Sequence, residues 1–411
     1  MTVSWQALAL TPLDTLFFRE PRPFTAGEGS DAWSVFPPTP LTIQGMIRSR
    51  LLSSCCGRWT EDWAKSYPAV EKVVGPPGGL PGTLTLQGPW LLREGTWLLP
   101  APLDLVVAPL SGTDDTANSP RDAAAFRPVK AGARTTSLPK AFRPLQPPDK
   151  WTEFSGANGW LSWEAYQTYL LDGRVKLTPK KNWWQPDMLW DEELRPGIAM
   201  DNARNRAQEG MLYFARHTRL SSGVKIGLQV AGLDGLPQPL ALPSLAPLGG
   251  EGKAVSLDAC GPPPWGDAPR GLVDKIASSG QFKIILTQPA WFAAAWHPDW
   301  MNEQTGACVY SGGQSGRGLS FTWVAARIER PLKIGGWDLA KRRPKPLRAF
   351  VPAGSVFYFK DQKDASAVCE HFWARCLSQN PKDEHGMPVE AFEQIGFGHA
   401  LVGTWKEADD V

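Results

Sequence analysis

The sequence predicts an α+β protein made of two halves, each with the ingredients of a β-α-β-β-α-β unit, and three observations point there. A glycine-rich turn runs straight into an apolar, strand-like stretch twice, at Leu248–Leu257 and at Ile395–Trp405, each near the end of what reads as one domain. Each half also carries several short alternating or apolar runs of strand length and a smaller number of helical segments. Finally, 411 residues suffice for two or three domains with substantial cores. The second half reads more clearly than the first. The predicted boundaries are residues 1–262, with a large insertion at about 75–195, and residues 275–411.

In chain order, Val3–Leu13 reads as the first strand, followed by a loop, Asp14–Phe36, rich in Arg, Gly and aromatic residues. Thr39 then caps a helix with Pro40 at its first position. Ile43, Ile47 and Leu51 fall on one inward stripe of that helix, with Arg48 pointing away from it. From Gly75 to Trp151 proline and glycine dominate, with short apolar runs at Trp97–Leu99 and Leu103–Ala108. Ala123–Pro148 carries five basic residues and no acid, and reads either as a solvated loop or as a basic arm that orders on RNA or a partner. Leu161–Leu171 looks helical. Gly197–Ala203 and Met211–Arg219 form a projecting hairpin with its tip at Arg204–Gly210, and the segment to Val230 continues that sheet.

The second half begins with the strand Phe282–Thr287 and continues through the glycine segment Ser311–Gly318 to the strand Leu319–Ile328. Leu332–Trp337, the basic run Lys341–Arg348, the strand Ser355–Phe359, the helix Ala365–Leu377 and the terminal glycine loop and strand complete it.

Composition narrows the chemistry. With 43 basic against 41 acidic residues, a charged binding surface has to come from local clustering. Forty glycines and 39 prolines make about a fifth of the chain, against a usual share of roughly 12%, which implies long, shaped loops. The 20 tryptophans read mostly as core filling, a minority as stacking platforms or partner anchors. The six cysteines form no CxxC pair, the opening MTVSWQALAL lacks a basic leader region, and no apolar run approaches the ~18 residues of a membrane helix. These features predict a cytoplasmic protein with reduced thiols, no membrane association and no cofactor. Cys369, His371 and Cys376 are the one group resembling metal ligands, but their spacing is wrong for a zinc knuckle.

Clustered backbone N–H groups at glycine turns attract phosphate, so the two loops suggest a nucleotide or nucleic acid. The candidate residues are Arg19, Arg22, Phe24 and Gly27 in the first loop, and Arg48 and Arg50 on the helix. Arg204, Arg206 and His217 lie on the hairpin, and Gly249, Gly250 and Lys253 at the first glycine turn. Arg317, Lys333, Lys341, Arg342 and Arg343 supply charge in the second half, and Gly398 and His399 form the second glycine turn. Ser311–Gly318 matches no phosphate loop, because it opens a strand rather than a helix with GK[ST]. No His-Asp pair, metal–carboxylate turn or Ser-His-Asp arrangement stands out, so no residue is assigned as catalytic.

Five dispersed blocks sharpen this: LDTLFFREPRPFTAGEGS leading into FPPTPLTIQGMIRSRL, then MLYFARHTRL, LGGEGKAVSL, KIGGWDLAKRRPKPLRAFVPAGSVFYF and IGFGHALVG. Together they resemble the RAMP superfamily of CRISPR proteins, and within it the subunit of type III-B (Cmr) effector complexes found at the 5′ end of the guide RNA. Gly75–Leu194 contributes nothing to the resemblance. It implies two fused ferredoxin-like (RRM-like) domains with long Pro/Gly-rich insertions and a hairpin projecting as a thumb. It also implies a non-catalytic subunit that binds the 5′ handle of the crRNA and docks the large polymerase-like subunit. That subunit would contact backbone RAMP subunits and meet target RNA only indirectly. The alternatives are a metal-independent RAMP endoribonuclease using His217 or His399 as general base, and an adaptor that touches protein alone.

Overall fold

The computed structural model describes residues 4–21, 31–57, 62–110, 116, 118–130, 139, 141–148, 151–201, 206–312, 317–338 and 340–408. It is α+β, with mostly strands and six α-helices among the described residues. The chain divides into two compact units whose pieces interleave along the sequence. The first takes residues 1–95, 186–262 and 333–348, and the second takes 96–185, 263–332 and 349–411. Most of the segment expected as an insertion of the N-terminal domain thus belongs with the C-terminal half.

In the first unit five antiparallel strands lie side by side in the order Thr85–Arg93, Val224–Ala231, Gln6–Pro12, Ala254–Ala259 and Ser244–Pro247. Gln6–Pro12 is central: Leu8 faces Leu228, Leu10 faces Leu257, and both of its leucines are fully buried. The helix Pro40–Cys56 starts as expected, with Thr39 Oγ1 accepting from the Thr42 N–H at 3.3 Å. Ile43, Ile47 and Leu51 are buried along one face. The hairpin is longer than predicted: Trp190–Asp201 pairs with Arg206–Leu220, and Asp31–Trp33 adds a short parallel third strand. Arg206 begins the second arm, where the sequence placed the tip. The expectation that the hairpin sheet continues to Val230 is corrected: Val224–Ala231 turns away and pairs with Gln6–Pro12 and Thr85–Arg93. Its near-continuous apolar text requires burial on both faces, which the hairpin cannot offer.

In the second unit the strands run Ala307–Tyr310, Leu319–Arg327, Val356–Lys360, Phe282–Leu286, His399–Gly403 and Arg375–Cys376. Both units therefore place four main strands in the same order: second, third, first, fourth along the chain. Among the described residues each has one of the two expected crossover helices, Pro40–Cys56 in the first and Ala365–Phe372 in the second. The missing helix of the first unit has a clear cause. Pro237, Pro239, Pro243 and Pro247 punctuate the connection from Ala231 to Ala254, and each removes a helical N–H and clashes with the preceding turn.

Tryptophans fill the core as expected. Trp405 donates its indole N–H to the carbonyls of Phe282 and Phe359 at 3.0 and 2.9 Å, and Trp373 donates to Trp265 at 3.0 Å. The helix Trp163–Asp172 is capped by Ser162 and closed by Gly173 in the left-handed region.

One charged cluster anchors the second unit. Lys283 and Asp104 are both fully buried and pair at 3.0 Å. Asp104 also accepts the hydroxyls of Tyr169 at 2.6 Å and Tyr358 at 2.5 Å, and the Lys283 ammonium lies 3.8 Å from the Tyr169 ring centroid. Burial pulls the lysine below its ordinary pKa range, while the carboxylate opposes that shift. Breaking such a pair strands a charge in the interior. Asp104→Ala should cost about 3–5 kcal/mol in a denaturant titration. A loss below 1 kcal/mol would show that the pair does not stabilise the fold.

Candidate nucleic-acid interface

The first loop descends from the Gln6–Pro12 strand along the second arm of the hairpin, where Leu16 and Thr218 exchange backbone hydrogen bonds at 2.8 Å. Asp14 sits at the head of this junction. Its carboxylate takes Arg195 at 3.0 Å, Arg219 at 3.0 Å and Lys253 at 3.2 Å. Glu193 closes the group, holding Arg195 at 2.7 Å and Arg219 at 2.5 Å. Hydrogen bonds from Arg195 hold Asp14 well below the usual carboxylate range, and those from Arg219 and Arg195 lower Glu193. The hairpin's other described arginine side chain, Arg216, pairs with Glu192 at 3.5 Å and lies 4.2 Å from the centroid of the exposed Trp33. The described arginine side chains at the hairpin base thus face carboxylates, whereas the hairpin arginines offered as grip, Arg204 and Arg206, have side chains outside the described residues.

The two glycine turns are framework. Gly249 has φ +85°, and a Cβ there would lie 2.6 Å from the Phe17 carbonyl oxygen. Gly398 has φ +72°, and a Cβ there would lie 2.4 Å from the Ser378 nitrogen. Only glycine fits both the angle and the gap. The N–H groups expected to cradle phosphate are committed inward, Gly250 to Phe17 O at 2.8 Å and Gly398 to Pro289 O at 2.7 Å.

The two histidines are corrected in the same way. His217 is fully buried, stacked on Phe17, with Nδ1 3.0 Å from Thr15 Oγ1 and Nε2 3.1 Å from Glu251. His399 is also fully buried, with Nδ1 2.6 Å from Thr287 Oγ1, and burial lowers its pKa to about 3. Neither ring offers a face to a base.

Of the remaining candidates, Arg48 is half-buried and donates to the carbonyls of Gly75 and Pro76 at 3.3 and 3.1 Å. Arg50 donates to Ser244 Oγ at 3.2 Å, and Arg317 pairs with Asp364 at 2.8 Å. Arg19 bridges to Ser34 through its backbone. Arg22, Phe24, Gly27 and Arg204 lie outside the described residues, as does the side chain of Arg206. Lys333, Lys341, Arg342 and Arg343 are exposed, and the structure gathers them on a short ribbon in which Trp337–Asp338 pairs with Arg343–Pro344. The sequence missed two features. The Asp14 hub leaves no local signal because its partners are 181 to 239 residues away. Trp337 was legible as a tryptophan four residues before a basic run, but exposure cannot be read from one residue type.

Among the described residues no group of three His, Cys, Asp or Glu is placed to hold a metal, and no helix is long and apolar enough to cross a membrane. Cys369 and His371 lie on the Ala365–Phe372 helix, which ends before Cys376, and the His371 ring contacts the Arg317 carbonyl at 2.9 Å.

Two predictions test these placements. Asp14→Ala should speed hydrogen exchange at the Leu16 and Thr218 amides and leave the Gln6–Pro12 strand protected; unchanged exchange at both would exclude the hub. A histidine with a depressed folded pKa stabilises the fold fully above its unfolded value of about 6.5 and loses that contribution as pH falls towards about 3. His399→Gln should therefore remove a slope of up to about 1.4 kcal/mol per pH unit below pH 6.5. Parallel stability curves for both proteins would refute it.

The family model described as CRISPR-associated protein (Cas_Cmr3) matches residues 8–405. A search among curated proteins found no match. Solved structures that resemble the chain include a cryo-EM structure of the type III-B Cmr-beta complex bound to cognate target RNA and AMPPnP. That match has 15% identity, 86% coverage of each chain and a TM-score of 0.44. Another is the same complex bound to cognate target RNA, at 14% identity, 86% coverage of each chain and a TM-score of 0.44. The family model spans almost the whole sequence and bears out the resemblance carried by the five dispersed blocks: the chain belongs to the Cas_Cmr3 family of CRISPR-associated proteins.

Proposed function

We propose that this protein is a non-catalytic, crRNA-binding subunit of a type III-B RNA-guided effector complex. It holds the 5′ handle of the guide, docks the large polymerase-like subunit, and contacts the backbone RAMP subunits and, indirectly, target RNA. Family membership across residues 8–405 is the observation that carries this reading. The strand order shared by the two units supports reading each as a ferredoxin-like domain with one crossover helix replaced by loop. The Trp190–Leu220 hairpin is the candidate thumb that interrupts pairing at the start of the guide–target duplex. Burial of His217 and His399 weighs against a histidine-based ribonuclease, because a general base must reach the 2′-hydroxyl it activates. The handle is single-stranded, so grip comes from cations on phosphate together with base contacts.

The test replaces Arg19 and Arg22 with alanine in the assembled complex. Handle retention should fall while large-subunit docking persists, and unchanged guide content would sink the assignment of that loop. In a parallel assay, metal-independent cleavage of repeat RNA that is lost with His217→Ala or His399→Ala would establish the enzymatic alternative. Absence of any salt-dependent RNA contact in the assembled complex would favour the protein-only adaptor.

A further inference from the structure

Three of the five sequence blocks meet at one buried side chain. Thr15 and Phe17 come from the first block, His217 from MLYFARHTRL and Glu251 from LGGEGKAVSL. His217 stacks on Phe17 with ring centroids 4.9 Å apart. Its Nδ1 lies 3.0 Å from Thr15 Oγ1, and its Nε2 lies 3.1 Å from Glu251 Oε2. An ionised carboxylate only accepts, so Nε2 carries the proton. Nδ1 is then the lone-pair nitrogen and accepts the Thr15 hydroxyl. Hydroxyl, ring and carboxylate thus form a relay with a single proton arrangement. Burial favours the neutral ring; Glu251 opposes that shift, and the charges of Lys253 and Arg195 add to it.

The surrounding contacts show what the relay braces. Residues 213, 215, 217 and 219 share one face of the second hairpin arm. Along that face Arg219 meets Asp14, His217 meets Thr15 and Glu251, and Ala215 packs with Phe17 and Ala32. Tyr213 lies against that last cluster. Backbone bonds run beside these contacts, Thr218 N–H to Leu16 O and Gly250 N–H to Phe17 O, both at 2.8 Å. Glu251 sits at φ +55°, a conformation that disfavours a residue with a Cβ, and reaches Nε2 from there. Beyond Tyr213 the bracing stops. The register of the two arms shifts between Ile198 and Met200, and the short third strand pairs only with Phe214–Arg216. The direction of the outer hairpin is therefore set at its base.

We propose that His217 is the positioning residue of the projecting hairpin. Through Thr15 and Glu251 it locks the second arm to the first loop and to the glycine turn, and so fixes where the hairpin meets the guide–target duplex. The inference rests on reading that hairpin as the thumb, and adds what orients it. It also gives the first glycine turn a role other than phosphate binding, which is to present Glu251. Packing alone does not account for the residue. A leucine or phenylalanine would fill the space beside Phe17, whereas separate polar partners on two ring nitrogens require an imidazole.

The experiment follows Glu251→Asn, Thr15→Val and His217→Gln in two settings. Hydrogen exchange is measured in the full-length protein, and 2-aminopurine fluorescence at the start of the guide–target duplex is measured in the crRNA-loaded complex. Asparagine tolerates positive φ but is too short to reach His217, so Glu251→Asn keeps the turn's backbone and removes the contact. Exchange at the Gly250 and Thr218 amides should then speed about tenfold, as expected when one buried polar group loses its partner. The Gln6–Pro12 strand should stay protected. Combining Glu251→Asn with Thr15→Val should add little to either alone, because both break the same relay. His217→Gln, whose side-chain N–H can still meet Glu251, should keep the Gly250 amide slow. In the complex, Glu251→Asn should lower the 2-aminopurine signal towards that of a fully paired duplex, with guide content unchanged. Wild-type exchange in Glu251→Asn, or fully multiplicative effects in the double variant, would overturn the relay. Faster exchange with an unchanged 2-aminopurine signal would show a brace that positions nothing, and would overturn the proposal. If the wild-type complex itself gives the signal of a fully paired duplex, the thumb reading fails and the positioning role with it.

Discussion

Asp104 brings a carboxylate into the second unit where no water reaches it, and the surrounding packing follows from that. An ion in such a place needs a counter-ion and hydrogen bonds on its remaining lone pairs. Lys283 supplies the first from the middle of the main sheet. Tyr169, from a helix in the 96–185 segment, and Tyr358, from the neighbouring strand, supply the second. Four residues far apart in sequence must arrive together or leave a polar atom stranded. That requirement ties the segment following Thr96 to the C-terminal sheet, and it explains why the compact unit ignores the simple division of the chain into halves.

The same economy of charge governs the first unit, in a wetter setting. Asp14 and Glu193 draw three cations onto themselves, so the charge described at the base of the hairpin is locally balanced. Counting basic residues in a window therefore overstates the free charge at the base of the hairpin.

Much of the scaffold was legible. Thr39 followed by Pro40, with Ile43, Ile47 and Leu51 behind them, fixed a helix start and its buried face, because capping and periodicity are local properties. The strands around Phe282, Leu319 and Val356 were found for the same reason. What failed was non-local. Val224–Ala231 was assigned to the wrong sheet because an apolar strand announces that it is buried without naming its neighbour. Gly250 and Gly398 were read as phosphate donors because the sequence gives their freedom but not the carbonyls that already occupy their N–H groups. His217 and His399 looked available because a histidine's exposure is set by what the rest of the chain folds over it.

The interleaving of the two units also bears on synthesis. Gln6–Pro12, the central strand of the first sheet, finds its two partners only at Val224–Ala231 and Ala254–Ala259. At roughly 5–20 residues per second, a ribosome delivers those partners about ten to fifty seconds after the strand itself. Through that interval a run of ALAL text has its sheet edges unclaimed, the condition in which nascent chains recruit chaperones or pair wrongly with one another. The fold thus makes its oldest strand wait for some of its later ones, and the fidelity of assembly depends on what shelters that strand meanwhile.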